Sequence, residues 1–156
     1  METVEELLGG HPFFAGLGAD AMRLIAGCAS NVHFRAGELI FGEGEAADRF
    51  YVIRHGRAAL QLHSPARGPL LIETMDEGEV LGWSWLVAPY RYFCDALAVT
   101  PVSATALDGA CLRGKCEADP ELGFQLLKRV TAVMYQRLQS TRIRLLDLYG
   151  TEPVRA

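Results

Sequence analysis

Residues 31–62 read NVHFRAGELIFGEGEAADRFYVIRHGRAALQL. Short apolar runs alternate there with glycine-bearing turns. An extended backbone sends every second side chain to one face. Phe34, Leu39, Phe41, Phe50, Val52, Leu60 and Leu62 are therefore expected to share one direction. Arg35 to Glu38, Gly42 to Glu45 and Arg54 to Arg57 supply the corners, where glycine costs least. The pattern predicts short strands curling into a roll or sandwich.

The chain on either side extends this plan. Ser64 to Pro69 holds two prolines and a glycine, which exclude a central strand and predict a loop. Leu70 to Met75, Phe93 to Val99 and Val102 to Leu107 read as further strands, the last two divided by Thr100-Pro101. Toward the N-terminus, Thr3 to Leu8 predicts a short helix with Thr3 as cap and Glu6 in the capping-box position. Phe13, Phe14 and Leu17 form an apolar corner, and Ala19 to Ala29 fits a second helix with Met22, Leu24, Ile25 and Cys28 on its apolar side. The fold class expected is mainly β: a double-stranded β-helix, or jelly roll. It is read as a single domain, with N-terminal helices over 1–30, the roll over 31–108 and C-terminal helices over 110–149.

The ending changes character. Ala110 to Cys116 predicts a short helix. Asp119-Pro120-Glu121 is a strong helix start: a cap residue, proline at the first position and an acid in the first turn. The helical run continues to Tyr149, with Gly150 and Pro153 marking its end. Its thirty or so residues would span about 45 Å. Leu127, Val130, Met134, Leu138, Thr141, Leu145 and Leu148 are separated by threes and fours, and Leu122, Leu126 and Val133 add a second stripe. Two stripes can serve two partners, one the roll and the other a second copy of the helix in a parallel coiled coil. A homodimer through this helix is therefore expected; the alternative is that both stripes cover one protomer. Arg129, Arg137, Arg142 and Arg144 are expected to be solvated beside the seam, with a docking surface for a partner protein as the alternative.

Composition narrows the function. Half of the 156 residues are hydrophobic, enough for one sizeable core. Fifteen Lys and Arg against 19 Asp and Glu leave a net charge of -4 and no overall pull toward nucleic acid. No apolar run is long enough to cross a bilayer, and Met1 to Leu8 lacks the pattern of a secretory signal, so a cytoplasmic protein without membrane or direct nucleic-acid partners is expected. Cys28, Cys94, Cys111 and Cys116 form no C-x-x-C pair and are expected to be free buried thiols, with a disulfide or metal site as the alternative. His11, His33, His55 and His63 show no ligand pairing, so neither haem nor a structural metal is expected. Asp95 near Arg91 and Cys94 has no neighbouring histidine or nucleophile motif, and no enzyme is expected.

Longer motifs carry a family likeness. Phe13-Phe14-Ala15-Gly16-Leu17 is followed by Phe34-x-Ala-Gly-Glu-x-Ile40-Phe41-x-Glu-Gly-Glu45-x-Ala-Asp48-x-Phe50-Tyr51-x-Ile-x-x-Gly56, and later by Arg137-Leu138-Gln139-x-Thr141. Over nearly its whole length the chain resembles the cyclic-nucleotide-binding domain of the bacterial catabolite activator and oxygen-regulator superfamily. The resemblance implies a jelly roll that holds a ligand and a long helix that closes over it, dimerises and passes the signal on. That superfamily normally adds a winged helix-turn-helix, for which Gly150 to Ala156 is too short. Taken as a complete chain, it would not be a transcription factor of the usual type.

The resemblance also locates the pocket. Relatives carry Phe/Ile-Gly-Glu, whose carboxylate accepts the ribose hydroxyl, and then Arg-Ser/Thr-Ala, whose arginine holds the cyclic phosphate. Here Gly82 keeps the glycine, Trp83 stands at the glutamate, and Cys94 and Asp95 stand at the arginine and hydroxyl positions. Thr141 matches the helix threonine that contacts adenine. Candidate pocket residues are Gly82, Trp83, Ser84, Trp85, Arg91, Cys94, Asp95 and Thr141. Three readings stay open. Trp83 and Trp85 fill the vacated pocket as core. Or they line a pocket for another small ligand, aromatic or acyl, anchored by Arg91. Or a cyclic nucleotide still binds, with Arg91 rescuing the phosphate and Thr141 contacting the base. No cofactor is assigned.

Overall fold

The computed structural model describes residues 2–150. Its centre is a roll of two four-stranded antiparallel sheets. Eight strands build it: β1 (Ala29–Phe34), β2 (Leu39–Phe41), β3 (Arg49–His55), β4 (Ala58–Ser64), β5 (Gly68–Met75), β6 (Val80–Leu81), β7 (Asp95–Ala98) and β8 (Val102–Asp108). One sheet runs β1-β8-β3-β6 and the other β2-β7-β4-β5. Four helices flank the roll: α1 (Val4–Gly9) and α2 (Ala19–Ala26) before it, α3 (Gly109–Ala118) and α4 (Pro120–Tyr149) after it. The jelly roll with N-terminal helices and a long C-terminal helix stands as expected; Pro153 lies outside the described residues.

Local chemistry explains the boundaries. The Thr3 hydroxyl accepts from the Glu6 amide at 3.2 Å, while the Glu6 carboxylate accepts from the Thr3 amide at 2.7 Å. These two bonds satisfy orphan donors at the start of α1. Asp108 caps α3 through the Cys111 amide, and Asp119 caps α4 through Leu122, with Pro120 at the first helical position. Gly56, at φ +95°, turns β3 into β4; a Cβ there would lie 2.2 Å from the Pro101 carbonyl oxygen.

The expected single direction of the apolar strand residues is corrected. Tyr51 and Ile53 enter the interior of the roll with Phe41, Leu60 and Leu81. Phe50 and Val52 face the opposite way, into a second core with Leu8, Phe14, Ile25, Trp85, Leu107, Leu112, Leu122 and Leu126. β3 is buried on both faces, so alternation cannot tell its two sides apart. Leu39 and Leu62 are exposed.

Three further boundaries move. β5 begins at Gly68 and includes Pro69, opposite His63; it is an edge strand, where a missing amide breaks no ladder. α2 stops at Ala26 with Gly27 as its cap, because β1 starts at Ala29 and pairs with Leu107. Phe93 and Cys94 precede β7 instead of belonging to it.

Cys28 and Cys111 form a disulfide, with Cα atoms 5.7 Å apart, so the expectation of four free thiols is corrected. The partners lie 83 residues apart, a pairing that spacing cannot reveal. Cys94 and Cys116 remain free.

α4 divides its surface. Leu122, Leu126 and Val130 are buried against their own protomer. Val130 is 1% exposed, so it is not available to a dimer seam as expected. Leu127, Met134, Leu138, Leu145 and Leu148 are exposed, by 37–76%. Among the described residues, no helix is long and apolar enough to cross a membrane.

Candidate functional site

The segment between β6 and β7 forms one wall of the roll's interior. Gly82 takes φ +79°, and a Cβ there would lie 3.0 Å from the Arg49 carbonyl oxygen and 3.1 Å from the Tyr92 ring. It starts a 3-10 turn over Trp83–Leu86. That turn sends its two tryptophans to different places. Trp85 is fully buried in the second core, beside Phe50 at 5.9 Å. Gly109 leaves it room, since a Cβ there would press on the Trp85 Cβ at 3.0 Å and on the Ala47 and Asp48 carbonyl oxygens at 3.3 Å. Trp85 is thus core and not a wall of the pocket. Trp83 is half-buried and packs on Phe93, with ring centres 5.8 Å apart.

What remains of the pocket is a cavity of about 10 Å³ lined by Phe41, Leu60, Trp83, Tyr92, Cys94 and Arg137, together with Gly82, Ser84 and Phe93. That is room for about one water. Phe41 and Tyr92 stack at 3.9 Å and close one side. The Tyr92 hydroxyl donates to the Arg49 carbonyl at 2.6 Å, and burial raises its pKa. Burial pushes the Cys94 thiol up to about 12, so it stays protonated near neutrality and is a poor nucleophile.

Two expected contributors lie elsewhere. Arg91 is exposed and donates to the Gly44 carbonyl at 2.9 Å, tying two loops together instead of reaching inward. Thr141 is exposed, and its hydroxyl donates to the Arg137 carbonyl one turn back, at 2.9 Å. Asp95 also turns away: it accepts from the Glu43 amide at 2.7 Å and lies 3.2 Å from His63. Its carboxylate therefore braces the β2–β3 turn. Gly82, Trp83, Ser84 and Cys94 are brought together; Trp85, Arg91, Asp95 and Thr141 are not among the cavity's lining residues.

The residue that sequence reasoning placed in solvent is Arg137. It is half-buried, and its Nη2 donates to the Val80 carbonyl and lies 3.1 Å from the Met75 sulfur. Desolvation lowers its pKa. Among the described residues no carboxylate lies within ion-pair distance of it. The signal was the helical spacing itself: Leu122, Leu126, Val130, Val133 and Arg137 follow one another by fours and threes, so the arginine continues the buried stripe.

Arg137 has two companions. Arg129 donates to the Ala15 carbonyl at 2.6 Å, and Arg144 donates to the Ile72 carbonyl. Leu122 to Leu146 contains five basic residues and no acidic one. Three of the five bind neutral main-chain oxygens of the body instead of solvent alone. No group of three or more His, Cys, Asp or Glu among the described residues could hold a metal ion.

Residues 31–119 match the cyclic nucleotide-binding domain family, and the chain belongs to it. A cyclic nucleotide-binding protein of Geobacter metallireducens is 30% identical, with a TM-score of 0.79, over 88% of this chain and 99% of that one. The N-terminal domain of a transcriptional regulator from Streptomyces coelicolor is 27% identical, with a TM-score of 0.67, over 86% and 94% of the two chains. A CRP-like cAMP-activated global transcriptional regulator of Mycobacterium tuberculosis is 28% identical over 149 residues, which is 96% of this chain and 65% of that regulator's length. The chain thus spans somewhat less than two thirds of the curated regulator it matches. Along most of its length it is related to regulators of the catabolite-activator type.

Proposed function

We propose that this chain is a sensory or regulatory domain in which the cyclic-nucleotide pocket has been closed by the protein's own side chains, and that it acts as a homodimer through the outer face of α4. The described residues act as one domain in this reading. The observation that carries it is the cavity of about 10 Å³. Small-ligand pockets are commonly about 300–1,000 Å³. A cyclic nucleotide could enter only by displacing side chains that line this space, such as Trp83, Phe93 or Arg137.

The polar anchors agree with the closed volume. Trp83 offers no acceptor at the position where the resemblance puts the ribose carboxylate, and Cys94 offers no cation at the phosphate position. Losing one buried charged partner costs about 2–5 kcal/mol. Two such losses move a micromolar ligand beyond useful affinity, since each 1.4 kcal/mol is about tenfold. The names of the Geobacter and Mycobacterium relatives point to cyclic-nucleotide binding and to cAMP respectively, and make cyclic AMP or GMP the natural rival ligands. That rival requires Arg91 and Thr141, which are engaged with Gly44 and Arg137 on the surface.

Calorimetric titration with cyclic AMP and cyclic GMP, after stripping any co-purified ligand, tests the closed pocket. The expected result is no saturable heat at several temperatures. Micromolar binding of either nucleotide would overturn the reading.

A further inference from the structure

Arg137 stands between two spaces. On its inner side is the closed cavity. On its outer side is a groove of about 320 Å³ between α4 and the Pro12-Phe13 corner. Phe13, Val80, Ala132 and Val133 give this groove apolar walls, and Gln136 and Arg137 form a polar end. Its volume falls within the range of small-molecule sites.

The arginine is under-used there. Its Nη2 meets only the neutral Val80 carbonyl and the Met75 thioether, a weak acceptor. A carboxylate can take two parallel bonds from a guanidinium, each roughly twice as strong as a neutral hydrogen bond. The one carboxylate lining the groove belongs to Glu79, which accepts from the Asp76 amide at 2.6 Å and so caps the β5–β6 turn. Glu79, and Glu73 near Arg137, oppose any anion there, and oppose one carrying two charges more than one carrying a single charge.

We propose that this groove is an effector site for a small amphipathic monocarboxylate, whose apolar body lies on Phe13 and Val133 and whose carboxylate pairs with Arg137. The site lies outside the closed cavity and shares only Arg137 with it. Occupancy draws the guanidinium away from the Val80 carbonyl. That bond holds the second half of α4 to the roll, so the ligand acts on the helix that carries the dimer face.

The test is calorimetric titration of the full chain with sodium octanoate and, separately, 1-octanol. Octanoate is expected to bind saturably, with octanol at least tenfold weaker. Arg137→Gln should bring the two to equal affinity. Ala132→Trp, at an exposed wall position, should abolish both while leaving the melting temperature unchanged. Equal binding of octanoate and octanol by the wild type would overturn the proposal, as would octanoate binding untouched by Ala132→Trp, or no binding up to millimolar concentration. Cyclic-nucleotide binding that survives Ala132→Trp would contradict the closed pocket alone and leave the groove standing.

Discussion

Between Pro120 and Val130, α4 buries Leu122, Leu126 and Val130 against its own protomer. Between Thr131 and Tyr149 it leaves Met134, Leu138, Leu145 and Leu148 in the open; beyond the partly buried Val133, what ties it to the roll is Arg137 on Val80 and Arg144 on Ile72. Both halves are rich in leucine and arginine. The difference is direction, since each residue turns the helix by about 100° and a stripe either meets the body or passes beside it. The first half is held by apolar area, which is non-directional. Beyond Val133 the second is held by two charge-assisted bonds to main-chain oxygens, and that part can be released without uncovering the second core.

Truncation should separate the halves most strongly. Leu126→Ala is expected to cost about 2–5 kcal/mol in urea unfolding, as a buried leucine does. Trp85→Ala, in the same core, should cost about 3–5 kcal/mol. Leu138→Ala, measured where the protein is monomeric, should stay within about 0.5 kcal/mol. Equal losses at Leu126 and Leu138 would erase the distinction.

The arginines give the next largest effect. Arg137→Met leaves the buried Val80 backbone without its side-chain donor and should cost about 1–3 kcal/mol. Arg144→Gln, at an exposed position, should change stability by no more than about 0.5 kcal/mol. Amide exchange should rise over the second half of α4 in Arg137→Met and remain slow around Leu126.

A smaller effect comes from the N-terminal corner on which the first half rests. His11 is buried, with Nδ1 accepting from the Phe13 amide and Nε2–H donating to the Ile53 carbonyl, which fixes a neutral ring. Burial lowers its pKa below the ordinary 6.5. Between that lowered value and 6.5 the unfolded chain binds more protons than the folded one, so stability rises with pH through this window. The contribution is whole above 6.5 and is lost as pH falls through the folded value. Thermal melts from pH 7.5 to 5 should show the decline, and His11→Gln should flatten it.

Much of this was legible in the chain. The glycine corners and short apolar runs marked the roll, and Asp119-Pro120 marked the start of α4 to the residue. The departures share a physical cause: they depend on what stands opposite. β3 has two cores, so its alternation gave one direction where there are two. Cys28 meets Cys111 across 83 residues. Arg91 and Arg137 exchanged their expected places because a loop arginine found a nearby carbonyl, while a helix arginine lay on the buried stripe. The substitutions Trp83 and Cys94 were readable as missing anchors, but only packing showed how little space they leave.

The most direct test of a helix that is part core and part seam is sedimentation velocity of the wild type and Leu138→Asp over a range of concentrations. The wild type is predicted to be a dimer, and the variant a folded monomer with unchanged circular dichroism. A wild type that sediments as a monomer at every concentration would contradict it.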